Sequence, residues 1–379
     1  MLECRQALCA DSMRKIVVGD HMRMTQQAAI LDDAGGRAAI DKSNMSKAIA
    51  SFPFQLEKGW ELSKGIGPAS FGFCPSSIVL SGMGGSAIGG DVLADAMRGL
   101  SGFRVDINRT YSLPRKLDKG VLHVGVSYSG NTEETISSFK EGLERKVPSL
   151  GISSGGKLEE MCSRESIPFL KLPVGIQPRA ALGYMLSALL GMVSRLGIYD
   201  FSGSIMESIQ SARTAAASVA PDVPLEKNGA KQLAAWLGSS TPVIISTPAV
   251  FSAAERMKTQ VNENAKRFAW LMTVPEANHN DWIPLRLDAT IGRYKAIILE
   301  GVENNPLLRR RMGIVEEMLG ENMSIRKVAS LHGGILDELL RYIVIGDHMS
   351  YYLALLGSTD PTPVEPIEAL KKEIDSRSL

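Results

Sequence analysis

Three hydroxyls, on Ser127, Ser129 and Thr132, surround one glycine in the stretch VSYSGNTEET that begins at Val126. An apolar run precedes them, and a helical pattern with an acidic first turn follows. The free N–H groups and partial positive charge at a helix start hold anions. Gly130 lets the backbone turn toward a ligand without a β-carbon in the way. A capping role explains one hydroxyl, not three around one turn, so the segment reads as a phosphate cradle. No lysine of the GK[ST] kind is present, which sets it apart from a nucleotide P-loop. Upstream, GMGGSA (82–87) has the form of a dinucleotide fingerprint, GxGxxA, and Asp106 stands near the end of the next strand, where a ribose-binding acid belongs. At this level a sugar-phosphate site and a nicotinamide site both remain open.

Three further residues stand out by type and setting. Arg179 follows Pro178 at a helix start, a poor place for a cation beside the helix dipole, which suggests an anionic partner. Glu263 lies on a helical stretch between Asn262 and Asn264, and burial near Phe268 and Trp270 would raise its pKa toward working pH. Among the five histidines, His279 in PEANHND is the one set among amides and acids; its reference pKa of about 6.5 suits both donation and acceptance of a proton. His332, in LHGG, is the second choice, and His348, beside Met349, reads as packing.

The elements that position these residues alternate strand and helix twice. Apolar runs at 78–80, 104–107, 121–126, 149–152 and 169–172 are separated by amphipathic stretches at 91–98, 133–144 and 158–162. A polar helical stretch and the proline-rich break APDVPLEKNG intervene. The second set runs through strands at 242–246, 268–274, 294–299 and 324–329, helices at 249–266 and 305–319, and a long helix from about Gly334. Such alternation predicts an α/β fold of two doubly wound parallel sheets. The expected division is an amino-terminal extension over 1–35, partly disordered, a first domain over 36–215, a second over 222–357 and a carboxy-terminal tail over 358–379. IVVGDHM (16–22) echoes IVIGDHM (343–349), but one seven-residue match falls short of a repeat architecture.

Composition excludes other classes. With 42 basic and 41 acidic residues the net charge is +1, which argues against nucleic acid as a partner. No apolar run reaches the roughly 18–20 residues that span a bilayer, and no signal peptide is apparent. Cys4, Cys9, Cys74 and Cys162 are scattered and read as reduced thiols of a cytoplasmic protein. No metal-ligand spacing appears, and no cofactor is expected.

GMGGSAIGG, VSYSGNTEET, QPRAALGYML, VNENAKRFAW, PEANHND and DPTPVEPIEALKK, in that order, resemble the bifunctional phosphoglucose/phosphomannose isomerases, two-domain members of the sugar isomerase (SIS) fold. The likeness runs from about Ile40 to Ile374, so residues 1–23 look like an extension, with Met22 or Met24 a candidate start. The resemblance implies metal-independent interconversion of glucose 6-phosphate or mannose 6-phosphate with fructose 6-phosphate through an enediol or enediolate. Such chemistry needs a base over carbon 1 or 2, an acid–base group at the ring oxygen and a stabiliser for the oxyanion. By resemblance Glu263 is the base and Arg179 the enediolate stabiliser. His279 reaches the site of a partner subunit in a homodimer with shared active sites, and Lys371 (with Lys372 beside it) assists ring opening. Gly85 and Ser86 border the sugar, Ser127, Ser129 and Thr132 take the phosphate, and Thr362 lies near carbons 1–3. A sugar-phosphate-binding regulator on the same fold would need neither Glu263 nor His279.

Overall fold

The computed structural model describes residues 28–379 except 99, 101, 288–289, 302–304, 330–332 and 378–379. Residues 1–27 and His332 therefore lie outside the described residues. Helices α1 (Ala34–Ile40), α2 (Met45–Ala50) and α3 (Phe52–Leu62) lead into β1 (Ser77–Ser81). Then α4 (Gly84–Met97), β2 (Arg104–Asn108), β3 (Val121–Val126), α5 (Glu133–Glu144), β4 (Ser149–Ser153), α6 (Gly156–Arg164) and β5 (Phe169–Lys171) complete the first sheet. Three helices follow: α7 (Leu182–Arg195), α8 (Ser202–Ser218) and α9 (Gly229–Leu237). The second set is β6 (Thr241–Ser246), α10 (Phe251–Ala265), β7 (Trp270–Thr273), α11 (Trp282–Leu287), β8 (Tyr294–Leu299), α12 (Pro306–Gly320), β9 (Ser324–Val328) and α13 (Ile335–Leu356), and α14 (Glu365–Ser376) closes the chain.

Every strand pair is parallel, in the orders β2-β1-β3-β4-β5 and β7-β6-β8-β9. The unbroken apolar strands are the central ones: β1, β3 and β4 are buried along their whole length. Helices on both faces leave no wet side, so no polar alternation survives there. The edge strand β9 carries Arg326 and Lys327 in exposed positions, charges that discourage pairing with another edge.

Period-two packing joins the two sheets. Ile244, Ile297 and Leu299 face a core shared with Ile78, Leu80 and Leu122 of the first sheet, whereas Val243, Ile245 and Ile298 face a separate cluster with Val315 and Leu319 of α12. Each fully buried aliphatic side chain contributes roughly 1.5–3 kcal/mol, and the shared cluster makes the two sheets one packed body. Helix α10 packs on both α13 and α4. Asp95 of α4, 3% exposed, accepts the backbone N–H of Ser252 at 2.9 Å and so caps the start of α10 from the other sheet's helix.

The last part of the expected extension is folded. Leu31 is fully buried in a 3-10 turn at Ala29–Leu31, and Asp33 caps α1 through the N–H of Gly35. Lys231 of α9 donates to Asp32 at 2.7 Å, and Arg37 donates to the carbonyl of Leu31 at 2.8 Å. A seven-residue helix is too short to show a countable period, so its burial is not visible in sequence. Among the described residues no helix is long and apolar enough to cross a membrane.

Candidate active site

In the order 2-1-3-4-5 the chain leaves β1 for one side of the sheet and returns on the other, so a crevice opens beyond the carboxyl ends of β1 and β3. Leu80 pairs with Val124 there, and the two candidate loops, Gly82–Ser86 and Ser127–Thr132, follow side by side. The hydroxyl of Ser86 ties them, accepting the N–H of Tyr128 at 3.3 Å.

The serine loop divides its hydroxyls. Ser127 is fully buried; its Oγ accepts from the N–H of Gly130 at 3.1 Å and of Thr132 at 3.4 Å, and lies 2.8 Å from Oγ1 of Thr132. This hydroxyl builds the loop. Ser129 is exposed, with Asn131 N–H donating to its Oγ at 3.3 Å, and Thr132 is half-buried at the N-cap of α5 without capping it. The N–H groups of the first turn of α5 are therefore not satisfied by that side chain. Gly130 has φ +70°, and a β-carbon on it would stand 1.7 Å from the carbonyl oxygen of Gly155. Its glycine is required by the loop after β4, rather than by close approach to a ligand as the sequence suggested.

The glycine loop serves packing too. A β-carbon on Gly85 would stand 3.3 Å from the Cα of Arg179, so the small residue admits the turn Pro178–Ala180 that precedes α7. Asp106, the acid of the dinucleotide reading, is ion-paired with Arg104 at 2.8 Å on the edge strand.

Arg179 is the centre of the arrangement and only 5% exposed. Its Nε donates to Oδ1 of Asn264 at 2.9 Å, and its Nη2 donates to the carbonyls of Pro361 at 2.7 Å and Thr362 at 2.9 Å. Three of five guanidinium donors thus fix the group. Among the described residues no hydrogen bond engages Nη1, which lies 4.0 Å from Oε2 of Glu263. Burial lowers the pKa of Arg179, and the Glu263 carboxylate opposes that shift; a guanidinium stays protonated regardless. Glu263 stands in the last turn of α10 with its side chain 28% exposed. Phe268 and Trp270 line the same cleft as Glu263, as expected, but at 87% and 60% exposed they do not bury it within the chain. Trp270 lies on β7, the edge strand of the second sheet, and Phe268 in the link just before it.

A buried polar stripe on α10 holds this centre. Arg256 pairs with Asp347 of α13 through Nε at 2.9 Å and Nη2 at 2.7 Å, and Nη2 also donates to the carbonyl of Arg179 at 2.9 Å. Gln260 donates to Asp347 at 3.3 Å, and Asn264 donates to Ser350 at 2.9 Å. Sequence reasoning passed over this network. Its signal was present: Arg256, Gln260 and Asn264 recur every four residues on one helix face, a polar stripe where α10 turns inward.

The structure thus gathers Gly85, Ser86, Ser127, Ser129, Thr132, Arg179 and Glu263 at the carboxyl end of the first sheet. Among the described residues no hydrogen bond or ion pair joins His279 or Lys371 to them. His279 is exposed in the turn Glu276–His279 after β7, whereas α10 delivers Glu263 to the start of that strand. The four residues of β7, about 13 Å of extended chain, separate them. Lys371 is exposed on α14. Thr362 is buried beside Arg179, to which it gives its carbonyl. Among the described residues no group of three or more histidine, cysteine or acidic side chains is placed to hold a metal ion.

Two parallel sheets on one core, with a glycine loop, a hydroxyl loop and a guanidinium–carboxylate pair at a switch point, define an SIS-type α/β protein. The family model described as "Bacterial phospho-glucose isomerase C-terminal SIS domain" matches residues 226–374. A bifunctional phosphoglucose/phosphomannose isomerase of Caldicellulosiruptor bescii is 32% identical over 334 residues, 87% of this chain and 98% of that protein. One from Thermoplasma acidophilum is 31% identical over 299 residues, 79% of this chain and 90% of that protein. The chain belongs to the bifunctional phosphoglucose/phosphomannose isomerase family. A hypothetical protein of Thermus thermophilus shares the fold, with a TM-score of 0.69 at 15% identity over 95% of this chain and 98% of that one.

Proposed function

We propose that this protein interconverts glucose 6-phosphate or mannose 6-phosphate with fructose 6-phosphate, by proton transfer between carbons 1 and 2. The observation that carries the reading is Arg179: a buried guanidinium fixed by three hydrogen bonds, with Nη1 unengaged 4.0 Å from the Glu263 carboxylate. A base beside a preorganised cation is what an enediolate needs. Ser129, Thr132 and the first turn of α5 take the phosphate, and Gly85 and Ser86 border the sugar. Glu263 removes the proton from carbon 2 of the aldose and returns it to carbon 1. The negative charge that develops on oxygen in between is met by Nη1 of Arg179. Both epimers pass through the same enediolate, so one carboxylate serves both.

Ring opening requires an acid–base group at the ring oxygen besides Glu263. His279 acts there from the partner subunit of a homodimer with shared sites, and Lys371 assists ring opening. What supports this is the exposure of both residues and the length of β7 between His279 and Glu263. Subunit mixing tests the reading. Glu263→Gln and His279→Gln should each lower turnover by about 10²–10⁴-fold on both aldoses. Dissociated and reassociated together in equal amounts, they should recover about a quarter of wild-type activity, because each mixed dimer holds one intact site. No recovery, with mixed dimers shown by mass, would place both residues in one subunit's site. Single mutants of near wild-type rate would remove the proposed chemistry.

A further inference from the structure

Resting on that reading, we infer that Lys266 is a positioning residue, which fastens the carboxy-terminal segment Asp360–Thr362 over the Arg179–Glu263 pair. Lys266 ends α10 at φ 56°, in the left-handed region that side chains other than glycine rarely adopt. The turn brings its Nζ to the carbonyl of Glu263 at 2.5 Å and to the carbonyl of Pro361 at 3.0 Å. The first bond satisfies a helix-end carbonyl that has no partner within the helix. The second meets the oxygen that Arg179 already engages from the other side, so Pro361 uses both its lone pairs on two cations.

The composition of the segment explains the arrangement. Pro361, Pro363 and Pro366 have no N–H to offer, and the N–H of Thr362 is spent locally on Oδ1 of Asp360 at 3.0 Å. The strap's backbone thus offers carbonyls to the body of the protein, and donors hold it there. Arg179 supplies them from the first sheet's side and Lys266 from the end of α10. Pro361 and Thr362 are buried under this pair of donors, whereas Pro363 is exposed. Beyond that point Val364–Ile367 lines a cleft of about 1040 Å³ together with Asn262, Glu263 and Lys266 itself. The strap therefore fixes the pose of Arg179 and borders the opening beside Glu263.

The charged groups facing the ammonium are Arg179 from the turn before α7, Glu263 from α10 itself, and Asp360 and Glu365 from the strap and α14. Burial, reinforced by Arg179, brings the Lys266 pKa down to about 8, against the pull of the three carboxylates. Below that value the ammonium donates as a cation. Above it the bonds to both carbonyls lose their charge assistance, and the strap loosens as the pH rises.

Lys266→Met and Lys266→Arg in the full-length chain test the assignment, with amide exchange of the peptide spanning residues 357–368 as a readout independent of substrate. The methionine variant should exchange the amides of Thr362, Val364 and Glu365 at least about tenfold faster and lose about 10–100-fold in kcat, the scale of a small misplacement of catalytic groups. The arginine variant should restore both and move the alkaline fall of kcat/KM upward from about pH 8. Wild-type exchange in Lys266→Met would overturn the inference. A fall in kcat with unchanged exchange would also overturn it, by making Lys266 a group that touches substrate. A wild-type protein with no isomerase activity would instead strike the proposed function, leaving amide exchange to judge the strap.

Discussion

Replacing Arg179 with lysine keeps the charge and removes the geometry. The guanidinium spends Nε on Asn264 and Nη2 on the carbonyls of Pro361 and Thr362, which leaves Nη1 beside Glu263. An ammonium on a shorter stem cannot hold three buried acceptors and also face the base. It either satisfies the carbonyls and withdraws from the site, or leaves them without their donor. The carbonyl of residue 179 stays anchored by Arg256 at 2.9 Å, so the turn itself remains in place and the loss is local. Removing one preorganised donor to an oxyanion costs about 2.7–4 kcal/mol, or 10²–10³ in kcat. Because Nη1 acts on charge that develops only in the transition state, kcat and kcat/KM should fall together while KM moves little. The assay is fructose 6-phosphate formation from each aldose phosphate, with thermal unfolding as a control for folding. Both epimers should lose the same factor, since they share the enediolate. A loss below threefold, a loss confined to KM, or a tenfold difference between epimers would refute the role.

The serine loop should separate by mutation: Ser129→Ala should raise KM about 10–100-fold through a lost charge-assisted bond with an unchanged melting temperature. Ser127→Ala should lower stability by about 1–3 kcal/mol, because the Thr132 N–H loses its acceptor and the Gly130 N–H keeps only the Ser127 carbonyl, and equal stability of the two variants would contradict that division. Asp347→Asn keeps shape but leaves the Arg256 charge buried without compensation, so denaturant unfolding should show a loss of about 3–5 kcal/mol; a loss under 1 kcal/mol would mean water or another group takes the charge. Burial pushes the His123 pKa down to about 4, while the unfolded chain takes up that proton near about pH 6.5. The unfolded state therefore binds more protons in between, and about 3 kcal/mol of stability should be lost as the pH falls from 6.5 to 4. His123→Gln should flatten that acid limb, and an identical pH slope in the variant would refute the assignment.

The strands, their parallel arrangement and their helical partners were legible from the alternation of apolar runs and amphipathic stretches, because burial on both faces writes itself into contiguous residues. The hydroxyl loop was legible for the same reason: SYSGNT carries its hydroxyls and glycine within one turn. Residue type also singled out Arg179 and Glu263, but only the tertiary structure set them 4.0 Å apart, since 84 positions of chain separate 179 from 263. It also reassigned individual atoms. Ser127 turned inward, Gly130 answered to Gly155, and the apolar cover expected over Glu263 stayed exposed. Arg256, Asn264, Asp347 and Lys266 acquired roles only when α10, α13 and the proline-rich strap met. Periodicity records which face of an element is buried. It does not record which buried donor meets which acceptor, because such a bond joins residues far apart in the chain and depends on the relative placement of whole elements.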